Sequence, residues 1–208
     1  MSDLAHAHGD HREALRSAYA NAAAVVAGVQ ADQLGGPTPC PDYDVGALVD
    51  HAVGAGWRIV SLGRGETPTG DEFPHVELTD APDQLRTASG QAAAAWADDA
   101  RLADTVTMPW GETYTGQVLV DMYLSELAAH AWDLAAATGQ LPALDAELAE
   151  PALCAARAML KPEYRDMMGT GSPFGAEVDA PADASDWERF AAFMGRPPHW
   201  SATGSPAV

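Results

Sequence analysis

Apolar residues recur at three- and four-residue intervals through most of the chain. Leu15, Ala18, Tyr19, Ala22, Val25 and Val26 carry this spacing, which predicts a first helix from about Asp10 to Gly28. The Gly35-Gly36-Pro37 cluster stops it. Two prolines then precede Asp44, a good N-cap, and Val45, Leu48, Val49, Ala52, Val53, Ile59 and Val60 predict a second helix from about Val45 to Gly63. A polar, proline-containing loop follows over residues 65–80. Pro82 and a run of alanines predict a third helix that ends before Arg101.

Residues 104–114, DTVTMPWGETY, place Thr, Val, Trp and Tyr around Gly111 and read as a short extended or hairpin excursion. A fourth helix is predicted from about Thr115 to Thr138, with Gly139 as its stop, and a fifth over 144–160, ahead of Pro162. The Gly-, Pro- and Asp-rich stretch 166–186 is predicted to be loop, with a short late helix at about 185–194. Long amphipathic helices with little strand content point to an all-α helical bundle, read as one domain over 1–208 with its core in about 10–160. No repeat and no composition break divides it.

Charge narrows the partners. Eleven Lys and Arg stand against 30 Asp and Glu, a formal net charge of −19, which repels nucleic-acid backbones and anionic lipid surfaces on average. A small-molecule substrate is the expected partner, with the protein a monomer or homodimer. No apolar run approaches the roughly 20 residues that span a bilayer, and the first residues carry acids and histidines instead of a signal peptide's basic and apolar segments. The chain reads as soluble and cytoplasmic. Two cysteines, Cys40 and Cys154, are too few for a disulfide framework.

The fourth helix carries the sharpest chemical question. Leu119, Met122, Glu126, His130, Asp133 and Ala137 share one stripe, so Glu126 and His130 are expected to face inward. A lone buried carboxylate costs on the order of several kcal/mol unless something compensates it. Two readings compete: an ordinary i,i+4 pair, contributing about 0.2–0.5 kcal/mol, or two metal ligands presented from one helix face. His51 on the second helix shares a stripe with Leu48, Ala55 and Leu62. It is either a hydrogen-bonded core histidine or a third ligand, and the small neighbours Gly54, Ala55 and Gly56 leave room for close approach. Two imidazoles and a carboxylate suit zinc or another divalent transition metal with coordination positions left open.

Two segments carry a family resemblance. TPCPDYDVGALVDHAVG resembles the T-x-C-P-x-W-x-V-x-x-L-x-x-H segment, and ELAAHAWDLAAATGQ the E-L-x-x-H-x-W-D-L-A-x-A-T-G-Q segment, of the mycothiol-dependent maleylpyruvate isomerase N-terminal family, part of the DinB-like group of metal-binding four-helix bundles. The FMGRPPHW ending resembles the G-R-x-P close of its single-domain members. The resemblance implies a DinB-like bundle and assigns His51, Glu126 and His130 as the metal triad, with zinc as the first choice and nickel or cobalt as alternates. It also implies a low-molecular-weight, mycothiol-like thiol as cosubstrate; a metal-bound thiolate would then serve an isomerase or S-transferase reaction, with Glu126 offsetting cation charge and, when it shifts off the metal, moving a proton. Rival readings are a hydrolase or tailoring enzyme without thiol dependence and a non-catalytic binding module. The family usually carries Arg-Asp at Gly46-Ala47 and commonly Arg at Ala136, so those cations are missing here.

The remaining polar residues have weaker signals. Asp133 is expected to orient His130 or Trp132 by a hydrogen bond, or else to be a solvated acid. Trp57 and Arg58, two turns beyond His51, either line the pocket mouth or are ordinary packing and surface residues. Cys40 stands ahead of a helix N-terminus that lowers a thiol's pKa, but without a His/Asp arrangement beside it a packed structural cysteine is expected over a nucleophile, and Cys154, among alanines, is expected in the core. His6, His8 and His11 lie on an end expected to be untethered. The glycines of GRGE and GTGSPFG lack the lysine and strand-loop-helix setting of a phosphate loop.

Overall fold

The computed structural model describes residues 9–67, 73–108, 111–160, 165 and 174–202. Helix α1, Arg12–Gly28, is followed by a single 3-10 turn and by α2, Val45–Gly63. The Asp44 carboxylate caps α2 by accepting from the Ala47 amide at 2.8 Å, which fixes its start where the sequence predicted it. Helix α3 spans Ala81–Ala95 with Pro82 in its first turn. It ends earlier than the sequence suggested because Trp96 turns inward: the indole is buried and its Nε1–H donates to the Ile59 carbonyl at 2.9 Å. A short helix, α4 (Ala100–Ala103), then leads into the expected hairpin. Its strands, β1 (Thr105–Thr107) and β2 (Thr113–Thr115), pair antiparallel.

Helix α5, Gly116–Thr138, starts on the Thr115 cap and stops at Gly139, whose φ of 76° closes the helix in the left-handed region. Helix α6 (Ala149–Met159) and helix α7 (Asp186–Phe193, opened by a Ser185–Glu188 capping box) complete the described elements. Residues 175–185 form no helix or strand, and 166–173 of the predicted loop lie outside the described residues, as do His6 and His8.

The packing follows from the apolar stripes. Helices α3 and α5 each pack against both α1 and α2, so α1 and α2 face one another diagonally across a four-helix bundle. Leu15, Tyr19, Leu48, Ile59, Leu62, Leu85, Leu119, Leu124 and Leu127 fill its centre. A second, smaller apolar cluster joins the outer side of α5 to α6 and α7 through Ala128, Leu153, Phe190 and Met194. Helix α5 therefore touches both layers, which is why it is buried on nearly all sides.

Two expectations are corrected. Cys154 is exposed, not in the core: α6 buries Ala152, Leu153, Ala155 and Ala156, and Cys154 falls on the outward face between Glu150 and Arg157. His11 is not untethered, since its Nδ1 lies 2.8 Å from Oδ1 of the fully buried Asp121 on α5. This bond ties the chain's beginning to the bundle. Among the described residues, no helix is long and apolar enough to cross a membrane.

Candidate metal centre

Helices α2 and α5 pack side by side, and His51, Glu126 and His130 meet between them. One donor atom from each lies within 4.8 Å of the other two. Glu126 does not pair with His130 along its own helix; its Oε1 accepts across the interface from His51 Nε2 at 2.9 Å. The two imidazole rings stand edge to face with centroids 4.8 Å apart. His130 is almost wholly enclosed, whereas the His51 and Glu126 side chains keep 17% and 21% of their surface.

Burial raises the cost of charge on Glu126, but the His51 hydrogen bond and the fields of His51, His130 and Arg58 outweigh it and hold the carboxyl below its ordinary value. Zinc bonds to imidazole nitrogen and carboxylate oxygen are about 2.0–2.2 Å long. Donor atoms within 4.8 Å of one another are compatible in spacing with a shared ion of that size. The N,N,O set also suits a borderline transition metal better than calcium or magnesium, which favour oxygen.

Asp133 is fully buried, not solvated. Its Oδ2 lies 3.3 Å from His130 Nδ1. Both carboxylate oxygens also accept from Arg196, Nε to Oδ1 and Nη2 to Oδ2, each at 3.1 Å. Arg58 stands at the margin of the site with its guanidinium 4.3 Å from the Phe73 ring centre, near enough to Glu126 to act on its charge. Trp57 is half-buried and packs against the main core. Cys40 is fully enclosed. Burial pushes its thiol upward, more than the neighbouring Arg196 charge lowers it, which agrees with a packed structural cysteine and not with an activated nucleophile.

Residues that the sequence reading passed over wall the site. Tyr43 lies 4.8 Å from His51, centroid to centroid, and stands edge-on to His130 at 6.4 Å. Thr38 sets this loop by accepting from the Cys40 amide at 3.2 Å and reaching the Tyr43 carbonyl at 2.8 Å, which gives the T-x-C-P segment a structural purpose. Tyr43 occupies the tryptophan position of that pattern, a signal that could have singled it out.

Phe73 meets His51 edge to face at 5.2 Å. It fits because α2 has glycine beneath it: a Cβ on Gly54 would sit 2.1 Å from two of its ring atoms. Asp50 pins the same segment, accepting from the Val76 amide at 2.8 Å and meeting His75 Nδ1 at 3.0 Å. Phe174 stacks on His130 at 6.4 Å. The small residues flanking His51 thus admit aromatic rings: Gly54 takes Phe73 and Gly56 takes Tyr19 of α1.

The family model described as the mycothiol maleylpyruvate isomerase N-terminal domain matches residues 15–135. Two uncharacterized proteins of Mycobacterium tuberculosis, MT0763 of strain CDC 1551 / Oshkosh and Rv0738 of strain ATCC 25618 / H37Rv, are each 40% identical to this chain over 179 residues, 84% of this chain and 91% of theirs. No solved structure matches it. The matched stretch holds His51, Glu126, His130 and Asp133, while Arg196 lies beyond it.

Proposed function

Since the chain belongs to the mycothiol maleylpyruvate isomerase N-terminal domain family, a family of DinB-like metal-binding bundles, we propose that it is a metal-dependent enzyme that uses a low-molecular-weight thiol of the mycothiol kind to isomerise a small molecule or transfer sulfur to it. His51, Glu126 and His130 hold the cation, zinc before nickel or cobalt. A bound divalent cation favours the deprotonated form of a thiol or water beside it.

The remaining work falls to side chains. Glu126 balances cation charge, and its Oε1, which lies 2.9 Å from His51 Nε2, is the atom at which a proton is held or moved. Tyr43, Phe73 and Phe174 present ring surfaces around the two imidazoles; they exclude water and orient an unsaturated or apolar part of the substrate. Arg58, at the margin, offers positive charge to an anionic end of substrate or thiol.

The observation that carries this reading is the meeting of His51 with Glu126 and His130 across two helices, with His51 and Glu126 still partly exposed. A second reading, a non-catalytic small-molecule or metal-binding module, draws support from Gly46 and Ala136, where the family resemblance leads one to expect arginine. The two separate in one assay. Metal-loaded protein is offered activated unsaturated acids with and without a panel of small thiols. Turnover that requires both metal and thiol supports the enzyme; saturable binding without turnover under any thiol supports the module; thiol-independent turnover points to a hydrolase or tailoring enzyme.

A further inference from the structure

Arg196 is a charged residue with almost no contact with water: 3% of its surface is exposed, and its partner Asp133 has none. Stability alone is a poor explanation for such a pair. Desolvating two charges offsets most of what their attraction gains, and apolar replacements of similar volume are often as stable or more so. Something else on the page uses this pair. The Asp133 oxygen that accepts from Arg196 Nη2 is also the one facing His130 Nδ1 at 3.3 Å.

The guanidinium reaches His130 by a second route. Its centre lies 5.5 Å from the Phe174 ring, and that ring stacks on the imidazole of His130. Arg196 itself is fixed by the turn that follows α7: its amide donates to the Ala191 carbonyl at 2.9 Å and its Nη1 to the Met194 carbonyl at 3.3 Å. The residue is therefore anchored in the C-terminal segment and directed at one edge and one face of the same imidazole.

We infer that Arg196 is a positioning residue of the metal centre, acting through Asp133 to keep the His130 proton on Nδ1 and its Nε2 lone pair free for the cation. A fork of two parallel N–H···O bonds holds a carboxylate in one plane more strictly than a single charge does. A carboxylate so held admits only one orientation of the imidazole it accepts from, and groups that orient metal-binding histidines this way typically contribute 10- to 100-fold in metal affinity. The C-terminal turn thus completes a site whose three ligands all lie on α2 and α5.

The inference rests on the metal reading given above, and the test separates the two. Cobalt(II) titrations of the full chain, read by calorimetry and by the visible d–d spectrum, are run on the parent, R196M and R196K. Nitrogen-15 shifts of the His130 ring are recorded without metal. The parent is expected to bind one equivalent and to show Nδ1 protonated and Nε2 bare. R196M is expected to bind about 10- to 100-fold more weakly and to show a mixed tautomer; R196K, which keeps the buried charge and so the fold but loses the fork, should fall between them. Parent-like affinity and parent-like His130 shifts in R196K and R196M overturn the inference, as does a parent with its proton on Nε2. A parent that binds no cobalt instead defeats the metal reading, and the nitrogen shifts of parent and R196K still decide whether Arg196 sets the tautomer.

Discussion

His51 Nε2 and Glu126 Oε1, 75 residues apart in the chain, lie 2.9 Å from one another across the α2–α5 interface. Glu126 thereby finds its compensating partner on a different helix, although His130 stands one turn away on its own. The choice of partner matters for chemistry. An i,i+4 pair would have held the carboxylate along the helix surface; the cross-helix pair seats it beside His51, with donor atoms of Glu126, His51 and His130 all within 4.8 Å of one another.

Phe73 should be the lever by which α2 shapes the site. G54A is expected to displace the ring, because the new Cβ would lie 2.1 Å from two of its atoms. Alanine's better helix propensity, about 0.5–1 kcal/mol, roughly offsets the lost packing of this half-buried ring, so the melting temperature should change little. The His51 ring protons, which face Phe73 edge-on at 5.2 Å, should shift in the same direction in G54A and F73A. Unchanged His51 resonances in G54A would show that Phe73 is not seated on Gly54.

His11 contributes stability that depends on pH. Its hydrogen bond to Asp121, opposed by burial and helped by the charges of Asp121 and Asp10, raises its pKa above the ordinary 6.5. The sign follows: the folded state binds the proton more tightly, so the contribution is complete below about pH 6.5 and fades as pH rises through the higher folded-state value. H11A should cost about 1–3 kcal/mol at pH 6, since it removes a hydrogen bond made to a buried carboxylate. Urea unfolding at pH 6 and pH 9 measures it; the gap between parent and H11A should narrow at the higher pH.

The two thiols should differ sharply toward a labelling reagent. Cys154 is exposed and Cys40 fully enclosed, with its thiol pushed upward by burial. Native protein should therefore titrate one thiol rapidly and the second only on denaturation, and C154S should leave the native protein unreactive. Fast labelling of native C154S would contradict the placement of Cys40.

Much of this was legible along the chain, and particular residues show why. Asp44 gave α2 a capped start, Gly139 gave α5 a left-handed stop, and the 3.6-residue period put His51 and the Glu126–His130 pair on inward stripes. Those are local signals, and they survived folding. Trp96 ended α3 early because its indole had a carbonyl to reach on another helix. Cys154 was misplaced because its immediate neighbours, Leu153 and the alanines, are apolar; the helical period instead sets it with Glu150 and Arg157 on the outward stripe of α6. Arg196 meets Asp133 and Phe174 meets the His130 ring from a segment far along the chain, Phe174 ahead of α7 and Arg196 on the turn after it, and no local period reports such contacts. The G-R-x-P ending marked that arginine without saying what it holds.

The most direct test of the metal centre is the cation content of protein purified without an affinity tag and supplemented with zinc, for the parent and for H51A, E126A and H130A. The account predicts about one equivalent in the parent and loss of it in each variant, with the helical circular dichroism retained. Parent protein that stays metal-free, or a variant that keeps a full equivalent, would contradict it.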